Sequence, residues 1–251
     1  MSERGSWIPW AGAPENYHLS IADLVANGTL DAEVAGTLWA AVAENLSFLT
    51  VAVPRNAGKT TVASAMLALR RPETPLHFAL GESHEMERLR RQRAGGYVVI
   101  GEFSPWSMPS YIWGESVRRV FETLRYGYSL QTSLHAPGVE PALRVITEEN
   151  GVSDADAGHL KLIVYVEVVR PGVRRISEVF ELDGVIGGRP VGRNLFRWSR
   201  ESDRFDKIEE PKGFGVERSI LNRRRQAIAE LVANGRTSVE DVAEMRASFP
   251  D

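Results

Sequence analysis

Short apolar, β-branched runs alternate along this chain with segments whose apolar residues recur at three- and four-residue spacing. Residues 47–53 (SFLTVAV) have the pattern of a buried parallel strand and 60–69 (TTVASAMLAL) that of a helix, joined by a tight loop. Upstream, 21–26 predicts a short helix ended by Asn27 and Gly28. Asp31 then opens a longer one whose Val34, Leu38, Ala41, Val42 and Leu46 share a face. Downstream, strands are expected at 75–80, at 97–103 (YVVIGEF), at 128–134 and at 160–169 (LKLIVYVEVV). Between them fall a charged helix at 82–93, an amphipathic one at 111–126 burying Val117, Val120, Phe121 and Leu124, and a third at 141–149. Such alternation predicts a mostly parallel sheet covered on both faces.

After Pro171 and Gly172 the period changes to two. Residues 173–182 can fold back on the preceding strand, 184–193 reads as a glycine-rich connection, and 194–208 as a second small hairpin. Helices at 216–233 and 238–247 close the chain. The string L-V-A-N-G occurs at 24–28 and again at 231–235. A duplicated module would produce it, but two apolar helices ended by the same left-handed cap is the simpler account. The expected fold is α/β, with a mostly parallel core sheet, an antiparallel β extension and C-terminal helices. The chain then divides into a leading segment at 1–46, a core at 47–170 and an extension at 171–251.

Composition narrows the classes. With 43% hydrophobic and 25% charged residues among 251, the chain has the balance of a globular protein with a sizeable core. A net charge of −3 argues against a nucleic-acid-binding surface, and the absence of cysteine excludes disulfides, thiolate metal sites and thiol nucleophiles. The first residues carry Trp7, Ile8 and Trp10 without a continuous apolar run, so no signal peptide is expected, and no stretch reaches the ~20 apolar residues of a membrane span. A cytoplasmic location follows as the expectation.

The loop between the first strand and its helix carries the chemistry. Val53 through Thr60 (VPRNAGKT) aligns with G-x-x-x-x-G-K-[ST] except at its first position. In that motif successive backbone N–H groups curl around phosphates at a helix N-terminus. Pro54, Arg55, Asn56, Ala57, Gly58, Lys59, Thr60 and Thr61 are therefore the expected nucleotide-binding residues. Lys59 would reach the β- and γ-phosphates, and the Thr60 hydroxyl would ligate Mg²⁺. Val53 and Asn56 stand where glycines are usual. Asn56 tolerates the left-handed region. A β-branched Val53 is expected to hinder closure around the phosphate, so that Val53→Gly with Asn56→Gly should strengthen binding. The strand V-V-I-G-E at 98–102 ends in Glu102, a carboxylate placed to orient the metal or the attacking water.

With these motifs the chain resembles the ATPases of type II and type IV secretion and of type IV pilus assembly, in particular the tight-adherence and archaeal branch. The resemblance runs from about Ile21 to the C-terminus. The strand, loop and helix at 47–69 resemble that family's phosphate loop, 98–102 its acidic strand, and Glu115 its next acidic position. The stretch G-Y-S-L-Q-T-S-L-H-A at 127–136 resembles its G-H-x-x-x-T-x-x-H-A, with Tyr128 where a histidine is usual. His135 then falls on the γ-phosphate-sensing histidine and Arg144 on the arginine of the helix that follows. Residues 160–181 and 195–198 resemble the closing strands. The resemblance implies a RecA-like P-loop fold, ATP and Mg²⁺ as cofactors, and a homo-oligomeric ring of six. It also implies an inner-membrane platform protein as partner and a position against the inner face of the membrane.

Departures leave alternatives open. The interval between Lys59 and Glu102 is short for the family's acidic box; Glu82 is the best match for its general base, Glu85 the next, and a solvated acid at a helix start is an equal reading of Glu82. Residues 103–111 (FSPWSMPSY) lack the Arg-Asp that the family places after its acidic strand. About 45 residues precede the first strand, which implies an absent or vestigial N-terminal domain. Arg118, Arg119, Arg144 and Arg175 are candidates for an arginine supplied to a neighbour's nucleotide. His77 and His84 near Glu82 invite a metal reading, though polar loop residues are commoner. Arg223 to Arg225 could contact acidic partners or lipid headgroups, though a solvated helix face is the commoner reading, and Trp106, Trp113 and Trp198 read as partner contacts or as buried packing. Two functions follow: an ATPase motor subunit, or a degenerate relative that binds nucleotide as a switch without useful turnover.

Overall fold

The computed structural model describes residues 19–108 and 110–249; the expectations about Trp7, Ile8 and Trp10 lie outside them. Helices α1 (Ile21–Ala26) and α2 (Ala32–Ala43) lead into β1 (Ser47–Ala52), α3 (Lys59–Leu67), β2 (Leu76–Phe78), α4 (Ser83–Gln92), β3 (Tyr97–Val99), β4 (Glu102–Phe103) and β5 (Tyr111–Ile112). Then come α5 (Glu115–Leu124), β6 (Ser129–His135), α6 (Val139–Arg144), a π-helical turn (Val145–Glu149) and α7 (Asp154–Ala157). The chain closes with β7 (Leu160–Arg170), β8 (Val173–Ile186), β9 (Arg189–Ser199), β10 (Arg204–Lys207), α8 (Arg218–Ala233) and α9 (Val239–Ser248).

One sheet runs through the molecule in the order β10-β9-β8-β7-β1-β6-β3-β2. β7, β1, β6, β3 and β2 are parallel, while β8, β9 and β10 extend the sheet antiparallel. The fold is thus mixed α/β with a mostly parallel core. Because strand side chains alternate between faces, β1 sends Phe48 into the core beneath α1, α2, α3 and α8, and Leu49 into the core beneath α4, α5 and α6. Burial on both faces explains the uninterrupted apolar runs.

Four expectations change. The 97–103 strand breaks at Ile100 and Gly101, where the chain passes so close to Ser110 that a Cβ on Gly101 would stand 2.6 Å from its carbonyl oxygen. The 111–126 helix begins only at Glu115, because Tyr111 and Ile112 pair with β4 and Gly114 takes φ +63. The 184–193 connection is strand on both sides of a two-residue turn at Gly187 and Gly188, φ +59 and +72, a pairing of positive φ angles that favours hairpins. Finally, Arg224 and Arg225 are buried rather than solvated. Arg225 donates to Thr37 and Glu210, and Arg224 stacks over Trp39 and Phe249. The repeated L-V-A-N-G string ends α1 and α8 with Gly28 and Gly235 at φ +76 and +68, the left-handed cap expected.

Gly36 lets α2 and α8 touch. A Cβ there would lie 2.5 Å from the Arg225 Cα. Gly36→Ala is expected to force the helices apart and to cost about 3 kcal/mol, the upper part of the usual overpacking range. Urea unfolding measures this, and a loss below about 1 kcal/mol would contradict so close a contact.

Candidate functional site

Three adjacent parallel strands end together, and the crevice outside such carboxyl ends is where open α/β sheets bind ligands. Ala52 at the end of β1 is in register with His135 at the end of β6, and Phe103 of β4 with Leu134. Glu102, His135 and the loop after Ala52 therefore share one edge of the sheet.

The loop reverses through two left-handed positions, Asn56 at φ +58 and Gly58 at φ +97. Gly58 is the N-cap of α3; no side chain caps the helix and no acid lies in its first turn. The N-terminal N–H groups of a helix have no intrahelical acceptor, so this end is open to an anion. Lys59 is buried in the first turn, Thr60 exposed beside it and Thr61 half-buried; Pro54, Arg55 and Asn56 are exposed, Ala57 buried.

Val53 behaves otherwise than expected. It is absent from the positive-φ positions among the described residues, its side chain is exposed, and its carbonyl accepts from His135 Nδ1 at 2.9 Å. The unusual backbone sits at Asn56, which accommodates it. Val53→Gly alone is therefore expected to leave ATP affinity unchanged, and any gain in the double variant should come from Asn56→Gly. Titrating each single variant decides; a gain from Val53→Gly would show that its β-branch does obstruct the loop.

Lys59, Glu102 and His135 form one cluster. Lys59 Nζ lies 3.3 Å from Glu102 Oε2 and 3.2 Å from His135 Nε2. The Lys59 and Glu102 side chains are 6% and 7% exposed. Burial pushes the Lys59 pKa down, Glu102 works against that, and Arg55 adds to the depression. With its Nδ1–H given to Val53, a neutral His135 offers only a lone pair at Nε2, which Lys59 can fill. Glu102 Oε1, 3.2 Å from that same nitrogen, is then a buried oxygen without a donor. A protonated ring would satisfy Oε1 but lose its capacity to accept from Lys59. With a neutral ring Glu102 Oε1 is left over, and a buried polar atom of this kind calls for a partner.

The structure does not bring Glu82 into this cluster. It is exposed at the start of α4, its carboxylate 3.2 Å from His84 Nδ1. Glu85 is occupied in capping α4, accepting from the N–H groups of Leu80 and Glu82. His77 bonds the Gly95 carbonyl at 2.9 Å, and among the described residues no three His, Asp or Glu side chains gather as metal ligands. Arg175 is committed to Asp203, Arg118 to the Asn150 carbonyl, and Arg119 to Glu115; Arg144 is exposed on α6. Trp198 is buried and donates to Asp203, whereas exposed Trp106 lies 4.2 Å from the Arg55 guanidinium.

Sequence reasoning missed Arg174, which lies on β8 and donates to the carbonyls of Asn56 and Ala57 at 2.9 and 3.1 Å. Its only signal was an Arg-Arg pair after a Pro-Gly turn. Two concavities, about 360 Å³ between α4 and α5 and about 490 Å³ between α2 and α8, are lined by charges that already pair with one another.

No family model and no curated protein matches the chain. Solved structures do. The VirB11 ATPase of the Brucella suis type IV secretion system, in complex with sulphate, aligns at 17% identity and a TM-score of 0.42, over 57% of this chain and 50% of that one. The Yersinia pseudotuberculosis ATPase DotB aligns at 14% identity and 0.45, over 91% and 63%. The Legionella pneumophila ATPase DotB aligns at 13% and 0.43, over 89% and 61%. The chain thus spans between half and two thirds of the length of these proteins, and at such scores the likeness assigns no function. Among the described residues no helix is long and apolar enough to cross a membrane.

Proposed function

We propose that this chain is a RecA-like P-loop ATPase, a motor subunit of a type II/IV secretion or type IV pilus-like assembly system. The observation that carries the reading is the open N-terminus of α3, with buried Lys59 set against a carboxylate that keeps one oxygen unpartnered. Lysine at the mouth of a helix N-terminus recognises phosphate by charge and by backbone N–H groups together.

The donor set also fits Mg²⁺, which takes few protein ligands and keeps water and substrate phosphates as the rest. The Thr60 hydroxyl and Glu102 would hold it, and the ion would neutralise phosphate charge. Lys59 releases Glu102 as it turns to the β- and γ-phosphates, freeing the carboxylate to orient water. His135, whose Nε2 lies 3.2 Å from both Lys59 Nζ and Glu102 Oε1 and whose Nδ1 donates to the Val53 carbonyl, is the group to register whether the γ-phosphate is present. The nucleotide core is assigned to 47–170, with 1–46 and 171–251 as its flanking parts. We place the subunit in a homo-oligomeric, six-membered ring on the cytoplasmic side of an inner-membrane platform protein. Arg144, exposed and without an ion pair among the described residues, is the arginine best placed to serve a neighbour's nucleotide.

Glu82 favours a second reading. An enzyme of this kind needs a base for water, and Glu82 is turned to His84. A nucleotide-binding switch without useful turnover would tolerate that. Sedimentation with and without a non-hydrolysable ATP analogue, together with phosphate release from the assembled form, separates the two. Analogue-dependent assembly with turnover supports the motor. Binding by a monomer without turnover supports the switch, and no binding of Mg-ATP removes both.

A further inference from the structure

The carbonyl oxygens of Asn56 and Ala57 belong to the peptide units whose nitrogens are those of Ala57 and Gly58. A trans peptide directs its N–H opposite to its C=O. Arg174 Nη2 and Nε hold these two carbonyls at 2.9 and 3.1 Å from the side of β8. The two N–H groups are thereby turned away from Arg174, and among the described residues neither donates to an acceptor. Gly58 is part of the same fit, since a Cβ at this position, φ +97, would lie 3.0 Å from the Arg174 Cδ.

Arg174 is itself held. It pairs in register with Val168 on β7, its carbonyl accepts from Arg175, and Arg175 makes a two-pronged ion pair with Asp203 at 2.8 Å on each arm. Trp198 Nε1 donates to the same carboxylate. The bonds from Arg175 and Trp198 bring the Asp203 pKa down to about 2, so the anchor stays charged at neutral pH.

We propose that Arg174 is a positioning residue for the phosphate loop: its guanidinium, delivered by the antiparallel hairpin, fixes the Ala57 and Gly58 N–H groups as donors to a polyphosphate. This deepens the nucleotide reading and rests on it. A loop with Asn56 and Val53 in place of glycines is pre-organised from outside by β8, which lies across β7 from the strand that carries the loop. A fixed guanidinium on the outer carbonyls also polarises the same peptides and strengthens their N–H donors.

The test uses the full chain with two probes, Mg-ATP and inorganic pyrophosphate, on wild type, Arg174→Ala and Arg174→Lys. Arg174→Ala is expected to lose roughly ten- to a hundredfold in affinity for both probes, the scale of one or two charge-assisted bonds. Its melting temperature should stay near that of wild type. Arg174→Lys, which keeps the charge but not the fork, should recover part of the loss. Equal affinity in Arg174→Ala overturns the proposal and leaves the nucleotide reading standing. A loss that follows a fall in melting temperature, without recovery in the lysine variant, also overturns it. A wild type that binds neither probe overturns the nucleotide reading and this proposal together.

Discussion

Lys59→Ala is expected to lower Mg-ATP affinity at least about a hundredfold, a loss of roughly 2.7 kcal/mol. The magnitude follows from where the ammonium sits. Hydrogen bonds to charged groups contribute about 1.5–3 kcal/mol, and this one is shielded from water, where the effective dielectric is low. Before nucleotide arrives, Glu102 neutralises the lysine at 3.3 Å, so the exchange of carboxylate for phosphate keeps the ammonium paired throughout. Alanine removes the cation from both states and leaves the buried Glu102 facing incoming phosphate, like charge to like. Calorimetric titration of both proteins checks the result. Comparable affinities would mean that phosphates do not bind here.

Much of this site was legible because the determinants are local. A buried strand, a loop containing A-G-K-T and a helix follow one another within residues 47–67, and each is fixed by its own sequence. Glu102 was legible because it follows the apolar run 97–100, and His135 because residues 127–136 resemble the family's stretch; the parallel order of β1 and β6 brings them to one edge. The rest depended on contacts between distant segments. Nothing local announces that Gly101 must pass under Ser110, or that Arg224 is sandwiched by aromatic rings from α2 and the chain's end. Glu82 was chosen for its place along the chain, and the structure sets it at the N-cap of α4 beside His84. The hairpin at 184–193 was hidden because glycines suggested a loop. One of them, Gly192, is in fact required within the strand, where a Cβ would meet the Glu181 carbonyl.

Glu102→Gln separates binding from turnover. In the nucleotide-free protein the change leaves Lys59 buried with only His135 near it, and breaking one side of a buried pair costs about 3–5 kcal/mol. The lower end applies here, because burial already pulls the Lys59 pKa down and the side chain can shed its proton rather than remain as an isolated charge. Bound phosphate replaces the missing carboxylate. The variant should therefore melt well below wild type when empty and regain most of that difference with Mg-ATP, giving a larger nucleotide-induced shift than wild type shows. Its affinity should fall far less than its turnover, since Lys59 no longer has to leave a carboxylate to meet the phosphates, while the amide oxygen is a weaker partner for the metal. Turnover is another matter: an amide cannot orient or deprotonate water as a carboxylate does, and such groups contribute about 10²–10⁴ in rate. Phosphate release by the assembled protein should fall at least a hundredfold, the lower bound of that range. Thermal unfolding with and without Mg-ATP, read beside phosphate release, tests both halves. A variant that hydrolyses ATP at the wild-type rate removes Glu102 from the chemistry. One that melts as wild type when empty shows that Lys59 does not depend on Glu102 for its charge.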